Sequence, residues 1–212
     1  MRLSTTPPHP PGVMIRDMRL DDCGAVATIR VRGWQHAYRG LLPQPYLDTM
    51  DIAEETGQRR RYFEERGEAV NVVAQQPDGT VTGWACAGPH RAEDHGLPGC
   101  ELYAIYVLPE HIGTGTGRAL LTELTARAAA AGHADMALWV LRENAPARRF
   151  YERAGFRPDG GEDTFLAGGT LVTEVRYVRR LTPPGVRPLT PPAAGGAPPP
   201  LPRRAVDAGG PP

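Results

Sequence analysis

The chain has 212 residues, 41% of them hydrophobic, and its 24 basic side chains balance 24 acidic ones. All 24 basic residues are arginine, which excludes a G-x-x-x-x-G-K-[ST] phosphate loop, because that loop needs a lysine ammonium. The even balance also argues against general binding to nucleic acid, which requires a clustered basic excess.

Taken in chain order, the first twelve residues include five prolines or glycines. They offer too little apolar surface to offset the entropy of ordering them, so 1–12 is predicted to be disordered. Val13, Met14, Ile15 and Arg16 read as a short strand. Asp21 or Asp22 can then cap a helix whose positions Ala25, Val26, Ile29 and Gly33 recur at helical spacing, with Trp34 and Tyr38 extending the face. After a turn at 40–45, a second helical region over 46–66 carries Tyr46, Leu47, Met50, Tyr62 and Phe63. Two apolar runs, 69–74 and 81–87, flank Gln76, Pro77, Asp78 and Gly79 and predict a hairpin with Asp-Gly at its apex. A Gly- and Pro-containing loop over 88–99 leads to the apolar and aromatic run 101–108, a buried strand closed by Pro109. A glycine loop follows, then a helix with Ala119, Leu120, Leu124 and Ala128 on one face, ended by Gly132. A strand at 137–141, a helix at 145–154 stopped by Gly155, and terminal strand segments at Phe156 and 170–179 complete a mixed α/β sheet.

From 182 to 212, 31 positions hold eleven prolines and five glycines, so the folded unit is placed at 13–181. Pro198, Pro199, Pro200, Leu201, Pro202, Arg203 and Arg204 read either as a polyproline II ligand or as a solvated extension. Cys23, Cys86 and Cys100 form an odd set with no close pair, as expected in a reducing compartment. No apolar targeting core and no run of eighteen apolar residues is present, so a cytoplasmic protein without a membrane partner is expected. Cys86, His90, His95 and Cys100 match no tight zinc spacing, and no metal site is expected.

Two constellations carry chemistry. Gly113, Thr114, Gly115, Thr116 and Gly117 lie between a strand and an amphipathic helix, where exposed amides and the helix dipole favour an anion such as pyrophosphate. A dinucleotide fingerprint would need glycine at 118, where Arg118 stands, which removes a Rossmann-type oxidoreductase. The second set, Asn144, Ala147, Arg148, Phe150, Tyr151, Gly155 and Phe156, lies on and after a neighbouring strand. Read from spacing alone, Tyr151 among two phenylalanines is better explained by core packing than by chemistry.

The segments LYAIYVLPEHIGTGTGRALL (102–121) and LWVLRENAPARRFYERAGF (138–156) resemble motifs A and B of the GNAT superfamily, the Gcn5-related N-acetyltransferases. The resemblance spans nearly all of 13–181 in element order, and implies an α/β fold with a mostly antiparallel, splayed sheet flanked by helices. It implies acetyl-CoA as co-substrate, and transfer of acetyl to a primary amine of a small molecule or peptide by direct attack in a ternary complex. The amides of Ile112, Gly113, Thr114, Gly115, Thr116, Gly117 and Arg118 would wrap the pyrophosphate, although Ile112 stands where the family has Gln or Arg. The backbone of Ile105, Tyr106 and Val107 would pair with pantetheine, the Val107 N–H polarising the thioester, and Asn144 would touch the same arm. Tyr151 would protonate the leaving thiolate as general acid. Glu101 stands where one branch of the family has its general base, the alternative being ordered water. Trp34, Tyr38, Trp84 and Tyr103 read either as an amine site or as core. A non-catalytic protein that binds acetyl-CoA is the alternative to an enzyme, and a homodimer paired through the terminal strand is a further expectation.

Overall fold

The computed structural model describes residues 12–65, 67–90 and 99–181. The two proline-rich ends and the middle of the 88–99 loop, His95 included, lie outside the described residues, so the expectations placed on them stay as they are. Strand β1 is Met14–Asp17, followed by helices α1 (Cys23–Ala37), α2 (Gln44–Asp48) and α3 (Ile52–Glu64). Next come β2 (Val70–Gln75), β3 (Val81–Pro89), β4 (Cys100–Val107), α4 (Thr116–Ala130), β5 (Asp135–Leu141), α5 (Ala145–Arg153), β6 (Arg157–Ala167) and β7 (Thr170–Arg180). The strands form one seven-stranded sheet in the order β1-β2-β3-β4-β5-β7-β6. Every pairing is antiparallel except β4 with β5.

Two apolar layers cover the sheet. One joins α4 to Leu102, Ile105 and Val107 of β4 and to Phe156 and Tyr177. The other joins α1 to Trp84, Cys86, Ala104 and Tyr106. The parity of β4 changes between its ends because of a β-bulge. Cys86 pairs with Ala104 while Ala87 pairs with Leu102, so Tyr103 is the extra residue, and Tyr103 and Ala104 both pack on the α1 side. Cys86 and Cys100 consequently belong to opposite layers and cannot ligate one metal ion. Among the described residues no helix is long and apolar enough to cross a membrane.

Three expectations are corrected. The helical region at 46–66 is two helices. Asp51, extended at φ −106°, accepts from the Glu54 amide at 2.8 Å and restarts the chain as α3. The terminal strands are longer, since β6 runs for eleven residues and joins β7 through Gly168 and Gly169. Its first half, Arg157 to Asp163, lacks apolar alternation because that half is largely solvent-exposed, so periodicity could not mark it. Finally, β7 is bonded on both sides and β6 forms the sheet edge.

Asp22 is the N-cap of α1 by position, but its side chain makes no cap hydrogen bond. Instead Arg16 donates to both carboxylate oxygens, at 2.7 and 2.8 Å, and the Arg19 amide donates at 2.7 Å. The carboxylate thereby ties β1 to the start of α1.

Candidate active site

The site begins with a gap in the sheet. β4 bonds β5 only through Cys100, Glu101 and Leu102, and from Tyr103 to Val107 the two strands have parted. Register shows which groups face the opening. Trp84 lies opposite Tyr106 and Gly83 opposite Val107, and the Leu108 amide donates to the Thr82 carbonyl at 2.9 Å. In an antiparallel ladder this makes Val107 a non-hydrogen-bonded partner of β3. Its N–H and C=O, with those of Ile105, point towards the gap. Tyr106 spends its backbone groups on Trp84, which corrects the expectation that all three residues offer their backbone there. An extended chain can add to Ile105 and Val107 as a strand would.

At the C-terminal end of β4, a 3-10 turn at Pro109–His111 leads into the glycine loop and α4. Gly113 and Gly115 have φ of +84° and +93°, a left-handed backbone that other residues adopt only with strain. The Thr114 hydroxyl donates to the His111 carbonyl at 2.8 Å, so the buried Thr116 hydroxyl, 2.9 Å from it, must be the donor to Thr114. Both hydroxyls are used to lock the loop. Anion binding therefore falls to the amides, and the first turn of α4 leaves those of Thr116, Gly117 and Arg118 without intrahelical acceptors. Ile112 differs from the expectation. Its side chain is exposed, and its amide donates to the Pro109 carbonyl at 3.2 Å. The Arg118 side chain is exposed.

Helix α5 closes the other side. Asn144 is buried and caps it, with Oδ1 accepting from the Ala147 amide at 3.1 Å, a use that engages the oxygen and not the amide nitrogen. Tyr151 packs edge-on against Phe150, ring centroids 5.2 Å apart, and against the core residue Phe156 at 6.0 Å. Phe150 also lies against Gly117, where an added Cβ would come within 3.7 Å of its ring. Tyr151 is half-buried. Burial, and then the nearby Tyr106 phenol, push its pKa above the usual tyrosine value. The phenol is thus held in its protonated form.

The helix is fastened from behind by a residue that spacing did not single out. The fully buried Tyr177 of β7 donates its hydroxyl to Glu152 at 2.9 Å and accepts from Arg148 Nε at 3.0 Å. Glu152 and Arg148 flank Tyr151 on α5, so both ends of the clamp act on the helix that carries it.

On the α1 side of the sheet lies a cavity of about 450 Å³. Trp34, Tyr38, Trp84 and Tyr103 all line it, together with Tyr106 and Trp139. Glu101 is 3% exposed and also faces this cavity, whereas Tyr151 packs with the α4 layer. The two candidate proton-transfer groups thus approach the gap from opposite faces of the sheet. Arg30 and Arg59, both held by the buried Glu55, form part of the cavity wall.

A splayed pair of parallel strands, a glycine loop opening a helix, and a tyrosine held protonated on α5 fit an acyl-transferring enzyme of the N-acetyltransferase class. Residues 31–156 match the model of the acetyltransferase (GNAT) family. The uncharacterized N-acetyltransferase YuaI of Bacillus subtilis is 33% identical over 168 residues, 77% of this chain and 90% of that protein. The Escherichia coli L-amino acid N-acyltransferase MnaT is 31% identical over 143 residues, 67% of this chain and 78% of that protein. Among solved structures, PaiA N-acetyltransferase from Thermoplasma acidophilum in complex with coenzyme A has a TM-score of 0.63 at 19% identity, covering 79% of this chain and 98% of that one. YncA from Salmonella typhimurium with its cofactor acetyl-CoA gives 0.61 at 24%, covering 81% and 95%. The chain belongs to the acetyltransferase (GNAT) family. Nothing in these relatives supports the non-catalytic alternative.

Proposed function

We propose that residues 13–181 form a catalytic domain that transfers the acetyl group of acetyl-CoA directly to the primary amine of a small molecule or peptide. One observation carries the reading: β4 and β5 part beyond Leu102, with the α4 layer on one face of the sheet there and the aromatic cavity on the other. The residues fit the co-substrate. Amides of Gly113, Gly115, Thr116, Gly117 and Arg118 would hold the pyrophosphate, Thr114 would shape the loop, and Ile112 would contribute chain direction rather than a donor. Backbone groups of Ile105 and Val107 would pair with pantetheine, beside Asn144.

Attack by a neutral amine on the thioester carbonyl places negative charge on its oxygen, which the outward N–H of Val107 is aligned to receive. The C–S bond then breaks. Tyr151 gives its proton to the departing sulfur, and the nitrogen loses one to Glu101 directly or through water. A phenol raised above its ordinary value stays protonated throughout neutral pH, as an acid in this step must. The relative MnaT is named for L-amino acids, and a solved neighbour, SpeG, for spermidine, so a small-molecule amine is the favoured acceptor. A homodimer paired edge to edge would use β6.

The test is titration calorimetry with acetyl-CoA beside a thiol-release assay over a panel of amines. Binding with amine-dependent release of CoA supports the reading. Absence of acetyl-CoA binding would overturn it.

A further inference from the structure

Four aromatic side chains of the cavity form a continuous arc. Trp34 meets Tyr38 edge-on with centroids 4.9 Å apart, the Tyr38 and Tyr106 hydroxyls lie 3.2 Å apart, and Tyr106 stacks on Trp84 at 6.4 Å. The arc is built in: an added Cβ at Gly33 of α1 would come within 3.0 Å of the Tyr106 ring, so only glycine admits the ring there without displacement. Two features of the arc are polar. Within the hydroxyl pair only one proton can bridge the two oxygens, so the second is left to be donated elsewhere and one phenol oxygen keeps its accepting capacity. The Trp34 indole N–H is buried and has no acceptor among the described residues. Leaving such a donor unpaired is costly, and a bound molecule that supplies an oxygen removes the cost.

The ring faces themselves are partly taken. Arg30 lies 4.9 Å from the centroid of Trp34, and Arg59 lies 5.5 Å from that of Trp84. The protein's own guanidiniums cover each end of the arc, so it is poorly suited to cage a second cation and well suited to cover an apolar body.

Resting on the function proposed above, we infer that this arc is the acceptor-binding surface. It selects a primary amine carried on a flat apolar body with a neighbouring oxygen, an aromatic α-amino amide or acid being the simplest example. The body lies across the rings, the amine N–H donates to the Tyr38–Tyr106 hydroxyl pair, and the oxygen accepts from Trp34.

The experiment compares L-phenylalaninamide, 2-phenylethylamine and spermidine as acceptors for the full chain and for Trp34→Phe and Tyr38→Phe, with acetyl-CoA affinity measured for each protein. Referring each variant to wild type with the same amine removes differences in amine basicity. L-phenylalaninamide is expected to exceed spermidine at least about tenfold in kcat/KM. Trp34→Phe should lower kcat/KM for L-phenylalaninamide about tenfold and leave 2-phenylethylamine, which has no oxygen, within about twofold. Tyr38→Phe, which keeps the ring, should raise KM for both aromatic amines with acetyl-CoA affinity unchanged. This division between substrates and between amines is one that a purely structural role would not produce. If Trp34→Phe loses acetyl-CoA binding, the Tyr38→Phe result decides. Preference for spermidine, equal losses for both aromatic amines in Trp34→Phe, or no release from any amine despite coenzyme binding would overturn this inference alone. Failure to bind acetyl-CoA would overturn the proposed function and the inference with it.

Discussion

On the proposed function, the two faces of the sheet would recognise their ligands by different means. On the α4 side, the groups offered to a ligand belong to the backbone: amides at the start of α4 and the outward N–H and C=O of Ile105 and Val107. On the α1 side they belong to side chains, above all the arc from Trp34 to Trp84. Backbone recognition constrains sequence indirectly but strictly, through glycines at φ near +90° and a register that leaves β4 open. Side-chain recognition constrains only what each rotamer touches, and an aromatic residue in a cavity has the same letter as one in a core. On that reading one face would serve a co-substrate that is always the same, and the other would be free to vary with the acceptor.

The sharpest way to test that division is Tyr151→Phe, which removes one oxygen on the α4 side and keeps the ring packed against Phe150 and Phe156. We expect kcat to fall by about 10²-fold or more, with acetyl-CoA affinity within about twofold, measured by steady-state thiol release and by calorimetry. The pH profile adds a second check. Because the phenol is raised above its ordinary value near 10, wild-type activity should show no loss attributable to Tyr151 until pH rises beyond that value. An alkaline limb at neutral pH that vanishes in Tyr151→Phe would contradict the assignment. Gly115→Val should come next in size. A β-branched residue forced to φ +93° costs about 1–2 kcal/mol, so acetyl-CoA affinity should fall about tenfold while KM for the amine stays near its wild-type value. Equal losses on both substrates would mean that the two faces are not independent.

What could be read from the sequence follows the same division. The strand, glycine loop and helix at 101–130 were legible because apolar run, Gly113, Gly115 and helical periodicity coincide there. The hairpin turn at Asp78-Gly79 was legible too, and Gly79 takes φ +90°. The direction of the backbone groups was not. Whether Tyr106 or its neighbours face the gap depends on register with β3 and on the bulge at Tyr103, neither of which leaves a letter in the sequence. The Ile112 amide was expected at the phosphates, but a local turn to Pro109 takes it. The clamp from Tyr177 to Arg148 and Glu152 joins positions 25 and 29 residues apart, beyond the reach of any periodicity. All of β6, 157–167, was missed: its first half is largely bathed in solvent and need not alternate, and its second half is too short a run to stand out alone.

On the α1 side, Gly33→Ala probes the arc without removing any of its groups. The new methyl would meet the Tyr106 ring at 3.0 to 3.3 Å, and such overpacking costs about 1–3 kcal/mol when neighbours cannot relax. We expect KM for the amine to rise about fivefold and the melting temperature to fall by a few degrees, with acetyl-CoA affinity retained. A change in acetyl-CoA affinity as large as that in amine KM would show that displacement of the Tyr106 side chain is transmitted to the slot.

The smallest expected effect lies outside both sites and sets the baseline for them. Burial by itself would push the Asp22 carboxyl up, but the Arg16 guanidinium and the Arg19 amide outweigh it and hold the group below its ordinary value of 3.8. A carboxyl depressed on folding contributes stability at pH above its unfolded value, and that contribution disappears as pH falls through the folded one. Asp22→Asn should therefore cost about 1–2 kcal/mol at pH 7, from one lost charge-assisted pair on a mostly buried side chain. The gap between wild type and variant should narrow as pH falls through and below 3.8, where the wild-type carboxyl itself becomes neutral. Since Asp22 ties β1 to α1 and touches neither cavity nor slot, kcat and both KM values should stay within about twofold. If instead the amine KM moved with this substitution, the position of α1, and with it Trp34 and Tyr38, would be set from the far end of the helix rather than by the packing of Gly33 on Tyr106.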